Sequence, residues 1–288
     1  MSKWRMGDVT VTKIVELEVT GGSRFLLPQA TPEIVKPIAW LQPHFADENG
    51  RLRMSIHSFV VETPTRRIIV DTCLGNDKQN RRIPHWNDRQ GPFLTDLAEA
   101  GFPPASIDTV LCTHLHVDHV GWNTMLRDGK WMPTFPQARY LMGRAEYEHW
   151  RDNTARPDMQ PIFADSVTPI LDAGLAQLVE TDHRICDELN LIPTVGHTPG
   201  HVGYEIVSGA SRLLDIGDLA HSSIVSLQKP QWGVGFDNEG AVAKTTRLAT
   251  LARLAKEQEL VYSPHFPFPG VGHIVADGDG FAWKAGVP

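Results

Sequence analysis

A run of histidines with an aspartate is the feature of this sequence most able to do chemistry. Residues 113–121 read THLHVDHVG, which places His114, His116 and His119 at a fixed spacing together with Asp118. Residues two positions apart at the end of a strand project to the same side, so His114 and His116 can approach one ion together. Imidazole nitrogens and carboxylate oxygens are good zinc ligands. The run therefore predicts a metal site.

Further residues of ligand type stand where later predicted strands end. The sequence GHTPGH at 196–201 contains His197 and His201, and Asp218 and His265 each end another predicted strand. Four ligands from one short segment cannot all close on one tetrahedral ion, and two ions need more ligands. Because functional side chains are commonly carried by loops at strand ends, we expect these residues to join the histidine run.

The elements that must position these residues are strands that alternate with helices. Strand-rich stretches closed by a helix occur twice, which predicts two β-sheets packed face to face with helices outside. No linker is visible, so we expect a single domain over residues 1–288. Strands are predicted at 8–19, 55–63, 68–72, 109–112 and 138–142, near 176, 189, 202 and 211, and at 260–264, which we expect to be the final core strand. Helices are predicted at 93–102, 143–151 and 241–258.

Two stretches lack a clear period. Residues 20–55 are rich in Gly, Pro and isolated aromatic residues, and we expect them to run over the surface. The polar loop at 75–91 is too long for a plain turn, and loops of this length in a compact domain tend to be functional.

Composition excludes several classes of protein. With 288 residues, 41% of them hydrophobic, and a net charge of −7, the chain has a globular composition and lacks the basic surplus typical of nucleic-acid binding. Its three cysteines are widely spaced and odd in number, which argues against a disulfide framework and fits a reducing compartment. No signal peptide and no apolar stretch of membrane-spanning length is visible, so we expect a cytoplasmic protein without a membrane partner.

The combined motifs resemble the metallo-β-lactamase fold hydrolases. HxHxDH, then GHTPGH, a strand-terminal Asp and a late His in SPHFPFPG follow that family's order, and the resemblance extends from Asp71 to His265. It implies an α/β fold with a four-layer αββα sandwich, in which two mixed sheets are flanked by helices. It also implies a di-zinc site at one edge, and relatives with this motif set are often homodimers.

The resemblance also implies a role for each residue of the motifs. The first zinc would be held by His114, His116 and His197, and the second by Asp118, His119 and His265, with Asp218 bridging the two. Asp71 and His201 match family residues that support the ligands from behind without binding metal. Manganese, cobalt or iron could replace zinc on these ligand types.

The pattern GDLAH at 217–221 resembles the methyl parathion hydrolase branch, close to the quorum-quenching lactonases. That branch pairs the Asp with a histidine at this offset, so His221 is equally a candidate for substrate contact and for packing behind the ligands. Loop aromatics near the ligands would give a moderately apolar mouth suited to a neutral ester or lactone. The pocket residues expected on this basis are Phe25, Trp86, Trp122 and Phe266.

The expected reaction is hydrolysis of a lactone or related carboxylic ester, with phosphotriesterase side activity. A hydroxide bridging two zinc ions would attack the carbonyl, His221 would help to stabilise the oxyanion, and Asp118 or Asp218 would pass a proton to the leaving group. Aryl esters or phosphotriesters as main substrates remain an alternative. Another is a persulfide dioxygenase with one iron, served by His197 and Asp218. A purely structural metal module is disfavoured, because seven ligand-type residues exceed what a closed zinc site uses.

Overall fold

The computed structural model contains two large mixed sheets, each lying largely within one of two compact units. The first unit comprises Met1–Glu16 and Ile56–Glu180, and the second comprises Leu17–Ser55 and Thr181–Pro288. The single domain expected from the sequence stays a prediction. The residues that the structure describes are 2–22, 24, 26–153, 155–220 and 225–286.

Sixteen strands and eight α-helices lie within those described residues. The strands are β1 (Ser2–Met6), β2 (Val9–Thr20), β3 (Arg53–Glu62), β4 (Arg67–Val70), β5 (Thr109–Cys112), β6 (Thr124–Arg127), β7 (Lys130–Pro133), β8 (Arg139–Gly143), β9 (Ala176–Val179), β10 (Arg184–Cys186), β11 (Leu189–Pro193), β12 (Val202–Ser208), β13 (Ser211–Asp215), β14 (Leu260–Tyr262), β15 (Val271–Asp277) and β16 (Gly280–Ala285). The α-helices are α1 (Pro32–Val35), α2 (Phe93–Glu99), α3 (Val117–Val120), α4 (Arg144–Arg151), α5 (Met159–Ile162), α6 (Thr168–Asp172), α7 (Val225–Gln228) and α8 (Gly240–Glu257).

The first sheet has the strand order β1-β2-β3-β4-β5-β8-β9. Its strands β4, β5, β8 and β9 run parallel, with Val70 opposite Leu111. Strand β5 is buried throughout, as parallel strands covered on both faces are, which explains its uninterrupted apolar sequence. Because β4 and β5 end side by side, the residues that follow them start from the same edge of the sheet.

The second sheet has the strand order β10-β11-β12-β13-β14-β15-β16, with β13 and β14 parallel and the other pairs antiparallel. Helix α8 buries Leu251 and Leu254 in the hydrophobic core of this unit. The helix ends at Glu257, and the next residue, Gln258, adopts a left-handed φ of 54° while its N–H bonds to the Leu254 carbonyl. Leu248, which the sequence places on the same stripe, is instead 37% exposed.

The prediction that residues 20–55 run over the surface is wrong. Leu27, Val35, Leu41 and Leu52 are almost completely buried, and all four belong to the core of the second unit. Glycines and prolines break the segment into short turns and therefore hide any helical or strand period. The apolar residues between those turns nevertheless pack inward.

The structure also contains strands that the sequence did not indicate. Strand β14 is followed by the hairpin of β15 and β16, so the strand near 260 is not the last one. In β15 a glycine and a histidine interrupt the apolar pattern, which conceals the strand. The hairpin of β6 and β7 turns at Asp128 and Gly129, both with positive φ, the turn chemistry that suits a two-residue hairpin loop.

The predicted fold class, α/β with two mixed sheets and helices, is confirmed. Within the part of the chain that the structure describes, no helix has both the length and the apolar character needed to cross a membrane.

The buried and the exposed face of α8 are expected to contribute differently to the free energy of unfolding. Leu254 is fully buried, so Leu254→Ala is expected to lower the free energy of unfolding by about 2–5 kcal/mol through lost contacts and an unfilled cavity. Leu248→Ala on the same helix is the matched control and is expected to change it by less than about 0.5 kcal/mol. Urea denaturation of the three proteins measures the difference, and equal losses would contradict the assignment of the buried face.

Candidate metal centre

The first unit presents the histidine run directly after β5. The chain leaves the strand at Thr113, and His116 is the extended N-cap residue of α3, which contains His119. All three histidines of the run are buried, and His114 Nε2 lies 3.0 Å from His116 Nδ1. Two nitrogens bound to one tetrahedral zinc are roughly 3.3–3.4 Å apart. The strand end and the first turn of α3 thus bring two imidazoles to about the spacing of ligands on one ion.

Asp71 supports this run from the end of β4. Its carboxylate accepts hydrogen bonds from the Thr113 backbone N–H and hydroxyl and from His119 Nδ1, each at 2.8 Å. Since Nδ1 of His119 carries the donated proton, its Nε2 is the nitrogen with a lone pair. That Nε2 lies 3.7 Å from Asp118 Oδ1, so these two atoms can approach one ion from adjacent positions.

The backbone after β4 is tied closely to the segment that follows the run. Gly121 donates its N–H to the Cys73 carbonyl at 2.7 Å, and a Cβ on Gly121 would lie 1.9 Å from the Leu74 carbonyl oxygen. The Glu16 carboxylate accepts the N–H groups of Leu74 and Gly75 and the indole N–H of Trp122. Burial raises the pKa of Glu16, although these hydrogen bonds oppose the shift.

The second unit presents three further candidates. His197 lies between β11 and β12, and its Nδ1 is 3.0 Å from Asp237 Oδ1. His265 follows β14, and its Nδ1 is 3.0 Å from the Ser55 carbonyl oxygen. A carbonyl or a carboxylate can only accept, so each ring carries its proton on Nδ1 and directs Nε2 elsewhere.

Asp218 is fully buried between these two rings. Its Oδ2 lies 3.5 Å from His197 Nε2, and its Oδ1 lies 3.1 Å from His265 Nε2. Because both Nδ1 atoms already donate, each Nε2 presents a lone pair beside a carboxylate oxygen, an arrangement that a bound cation would stabilise. Imidazoles whose tautomers are fixed in this way, with a carboxylate that addresses two of them, form a donor set that fits divalent metals.

His201 holds Asp218 through the backbone. Its Nδ1 lies 2.8 Å from the Thr194 hydroxyl and 2.9 Å from the Thr194 carbonyl oxygen, and its Nε2 accepts the Asp218 N–H at 3.0 Å. Gly217 has a φ of 49° and approaches the same ring, since a Cβ there would lie 2.7 Å from His201 Nε2. The turn that carries Asp218 is thus set by its contact with His201.

Asp237 is a functional candidate that sequence reasoning missed. Burial opposes its ionisation, but His197 and the neighbouring Arg247 together lower the pKa of Asp237 below its ordinary value. No pattern in the sequence around Asp237 distinguishes it from an ordinary loop acid. Arg247, in contrast, carries a signal, because it lies four and seven residues before Leu251 and Leu254 on the buried face of α8.

The long polar loop after β4 is anchored by buried polar and charged side chains. Arg81 donates to both oxygens of Asp165 at 2.8 and 2.9 Å. Lys78 is fully buried, donates to the Thr124 hydroxyl at 2.7 Å and lies 3.7 Å from the centre of the Trp131 ring. The loop is therefore fixed within the first unit rather than loosely solvated.

The pocket residues expected from the sequence lie in different environments. Trp86 ends a short 3-10 helix and is half-buried. Trp122 stacks on Phe93, and Phe266 is fully buried against Trp283, so both have packing contacts in the interior of their own units. Phe25 and His221 lie outside the described residues.

Comparison with known proteins places these features in a family. The metallo-beta-lactamase superfamily profile matches residues 52–265. An N-acyl homoserine lactonase of Bacillus cereus is 24% identical over 226 residues, which cover 74% of this chain and 82% of the relative. The structure of AidC, a dizinc quorum-quenching lactonase, aligns with a TM-score of 0.80 at 22% identity and covers 100% of this chain and 97% of that one. The hydrolase AbOPH of the beta lactamase superfamily aligns with a TM-score of 0.79 at 25% identity, over 99% of this chain and 96% of that one.

The support that Asp71 gives to His119 predicts an effect on metal affinity. Asp71→Asn keeps the shape of the side chain but turns an amide donor toward groups that already donate. Zinc affinity, measured by competition with a coloured chelator, is expected to fall about 10–100-fold. Asp96→Asn, an exposed carboxylate on α2, is the control and should bind zinc as the unmodified protein does. Unchanged affinity in a folded Asp71→Asn protein would contradict the supporting role.

The buried Lys78 predicts a pH dependence of stability. Burial lowers the pKa of Lys78 to about 7; Asp165 and Asp77 oppose this shift, and Arg81 adds to it. Between this value and the ordinary lysine value of about 10.4, the unfolded chain binds a proton that the folded chain lacks. The contribution of Lys78 to folding therefore becomes more favourable as pH rises through this window, by up to about 1.4 kcal/mol per pH unit, and is least favourable below about pH 7.

Replacement of this lysine tests the sign. Urea unfolding between about pH 6 and pH 9 is expected to show a more positive slope of stability against pH for the unmodified protein than for Lys78→Met. Lys244→Met, an exposed position on α8, should keep the original slope. The same slope in Lys78→Met would show that Lys78 stays charged in the folded protein.

Proposed function

This chain belongs to the metallo-beta-lactamase superfamily, and from that premise we propose that it is a metal-dependent hydrolase of lactones or related carboxylic esters. The proposal includes two zinc ions and the ligand assignment that the motifs imply. The N-acyl homoserine lactonase relatives support the lactone as substrate class. Family membership confirms the resemblance seen in the sequence motifs.

The observation that carries the proposal is the position of Asp218. Each oxygen of this buried carboxylate lies near the Nε2 atom of a different imidazole. Such a carboxylate is suited to bridge two cations. The proposed ligands are His114, His116 and His197 for one ion, Asp118, His119 and His265 for the other, and Asp218 for both. A closed structural zinc uses only four ligands, so seven candidates favour a pair of ions with positions left for substrate.

When bound, such a pair of ions would lower the pKa of a water molecule and polarise an ester carbonyl. The residues of the chain do the remaining work. Asp71, Asp237 and the Ser55 carbonyl hold the proton on Nδ1 of their histidines, which keeps each Nε2 available. Asp118 Oδ1 or a carboxylate oxygen of Asp218 would take up the proton released by water and pass it to the leaving alkoxide. His221 is proposed as a contact of the substrate carbonyl.

Ring opening of a neutral lactone needs this proton relay, because an alkoxide is a poor leaving group unless it is protonated. It does not need strong cationic binding groups, since the substrate carries no charge. Phosphotriesterase side activity is proposed on the same basis, because a neutral triester would use the same polarisation and the same leaving-group proton. The cytoplasmic location and the homodimer expected from the sequence stay predictions.

Proton release tests the reaction directly. Zinc-loaded protein in weak buffer is offered an N-acyl homoserine lactone, an aryl ester and a phosphotriester, and acid production is followed with a pH indicator. We expect fast acid release from the lactone, loss of the activity with a chelator and recovery with zinc. Acid release from the aryl ester or the phosphotriester alone would show that these compounds, and not lactones, are the substrates. One iron per chain with no hydrolysis of any of the three compounds would favour the dioxygenase alternative.

Variants test the proposed ligands. Asp218→Ala and His116→Ala are each expected to reduce lactone hydrolysis more than about 100-fold, beyond the loss caused by removing a hydrogen-bond partner of a ligand, and to lower metal content at the same time. His183→Ala is the matched control, a half-buried histidine near β10 outside the proposed site. Full activity with normal metal content in either ligand variant would contradict the assignment.

A further inference from the structure

Arg247 is a fully buried arginine on α8 that the proposed chemistry does not use. It occupies the face of the helix that buries Leu251 and Leu254, where an apolar residue would be ordinary. Moving a guanidinium out of water costs several kcal/mol unless good hydrogen bonds and a counter-charge compensate for it. A methionine of similar length would avoid that cost. The hydrogen-bond partners of Arg247 therefore indicate which groups its charge holds in place.

The guanidinium of Arg247 connects three parts of the second unit. Its Nε donates to the Leu219 carbonyl at 2.6 Å, and one terminal nitrogen donates to the carbonyls of Trp232 at 2.9 Å and Pro230 at 3.3 Å. The other terminal nitrogen donates to Asp237 Oδ2 at 3.1 Å. This planar fork uses four hydrogen bonds in fixed directions, which a lysine ammonium cannot reproduce.

One arm of this network leads to His197. Asp237 Oδ2 accepts from Arg247 and from the Val234 N–H, while Oδ1 of the same carboxylate accepts from His197 Nδ1 at 3.0 Å. The side chains of all three charged or titratable groups are at most 2% exposed. The carboxylate therefore has one orientation, and the plane and tautomer of the His197 ring follow from it.

The other arm leads to Asp218. Leu219 is the next residue in the chain, and both lie in the 3-10 turn Gly217–Ala220. The carbonyl that Arg247 Nε binds is thus attached to the turn that carries the Asp218 carboxylate. One guanidinium consequently holds the supports of two side chains, and His197 Nε2 lies 3.5 Å from Asp218 Oδ2.

We propose that Arg247 is a positioning residue for the metal centre, which sets the relation of His197 to Asp218 through Asp237 on one side and the Leu219 carbonyl on the other. This inference rests on the proposed function only in that His197 and Asp218 bind metal. Arg247 and Asp237 touch neither metal nor substrate. Asp237 acts on the ion that His197 binds, and Arg247 acts in addition on the turn that carries Asp218.

Two conservative variants separate positioning from general stability. Asp237→Asn keeps the size of the side chain but removes the charge behind His197, and Arg247→Lys keeps the charge but loses the fork. Zinc binding is measured by chelator competition, and the cobalt-substituted proteins are compared by their visible absorption spectra. Arg253→Met, on the exposed part of α8 where Arg253 pairs with Glu257 and Glu259, is the matched control.

We expect both variants to lose about 10–100-fold in affinity for the ion that His197 is proposed to bind, and to show a changed cobalt spectrum. Asp237→Asn should keep the affinity for the other ion. Arg247→Lys should also weaken the binding of the other ion, because it releases the Leu219 carbonyl in the turn of Asp218, which is proposed to bind both ions. In the double variant the two losses at the ion of His197 should be less than additive, since Arg247 acts on His197 through Asp237. The control should match the unmodified protein in affinity and spectrum.

The inference is overturned if folded Asp237→Asn and Arg247→Lys proteins bind both ions as the unmodified protein does, with the same cobalt spectrum. An Arg247→Lys protein that keeps the original affinity for the second ion would contradict the part of the inference that runs through the Leu219 carbonyl. Failure of the proposed function gives a different result: an unmodified protein that binds two ions yet does not cleave lactones, with the variants still weakened in metal binding. Thermal unfolding of the metal-free proteins identifies any variant that simply fails to fold.

Discussion

The candidate site depends on hydrogen bonds to Nδ1 of buried histidines. An imidazole in the protein interior has two nitrogens to satisfy, and the partner of one decides what the other can do. Asp71 holds Nδ1 of His119, Asp237 holds Nδ1 of His197, and the Ser55 carbonyl holds Nδ1 of His265. In each case the ring cannot turn over without breaking a buried hydrogen bond. The direction of each of these three Nε2 atoms is thereby fixed before any ligand arrives.

The two sheets bring those hydrogen-bond partners to the ends of strands. In the first unit, parallel pairing of β4 with β5 places Asp71 beside Thr113, the residue before the histidine run. In the second unit, β14 ends close to His265, and α8 delivers Arg247 to the support of His197. Close backbone contact at Gly121, where a Cβ has no room, removes the remaining freedom after the run. The strands set the spacing of the ligand-type residues, and the polar groups behind these residues set the orientation of their side chains.

The ligand-type residues could be predicted from the sequence because their chemistry is local. Residue type and spacing are enough to single out His114, His116 and His119, without any knowledge of distant contacts. Their supports are non-local: Asp237 is forty residues from His197 and stands in an unremarkable loop, and Glu16 is in a strand far from Trp122. Arg247 carries a local signal, a charge on an apolar helix stripe, and Asp71 and His201 are identified through the family resemblance. The prediction for residues 20–55 is wrong for a related reason. Short turns leave no helical or strand period visible in the sequence, and apolar residues can be buried without such a period.

The backing groups differ in charge, and the difference bears on the proposed pair of ions. A carboxylate behind an imidazole makes the ring more basic and a stronger ligand than a carbonyl does. Asp71 and Asp237 are such carboxylates, whereas His265 is backed by a carbonyl. In the proposed assignment His197 serves one ion and His119 the other, so each ion receives one imidazole backed by a carboxylate. Each unit builds one of these two supports from its own residues, and the buried negative charge of Asp237 is in turn balanced by Arg247. The cost of burying this arginine is therefore tied to the orientation of two proposed metal ligands, His197 and Asp218.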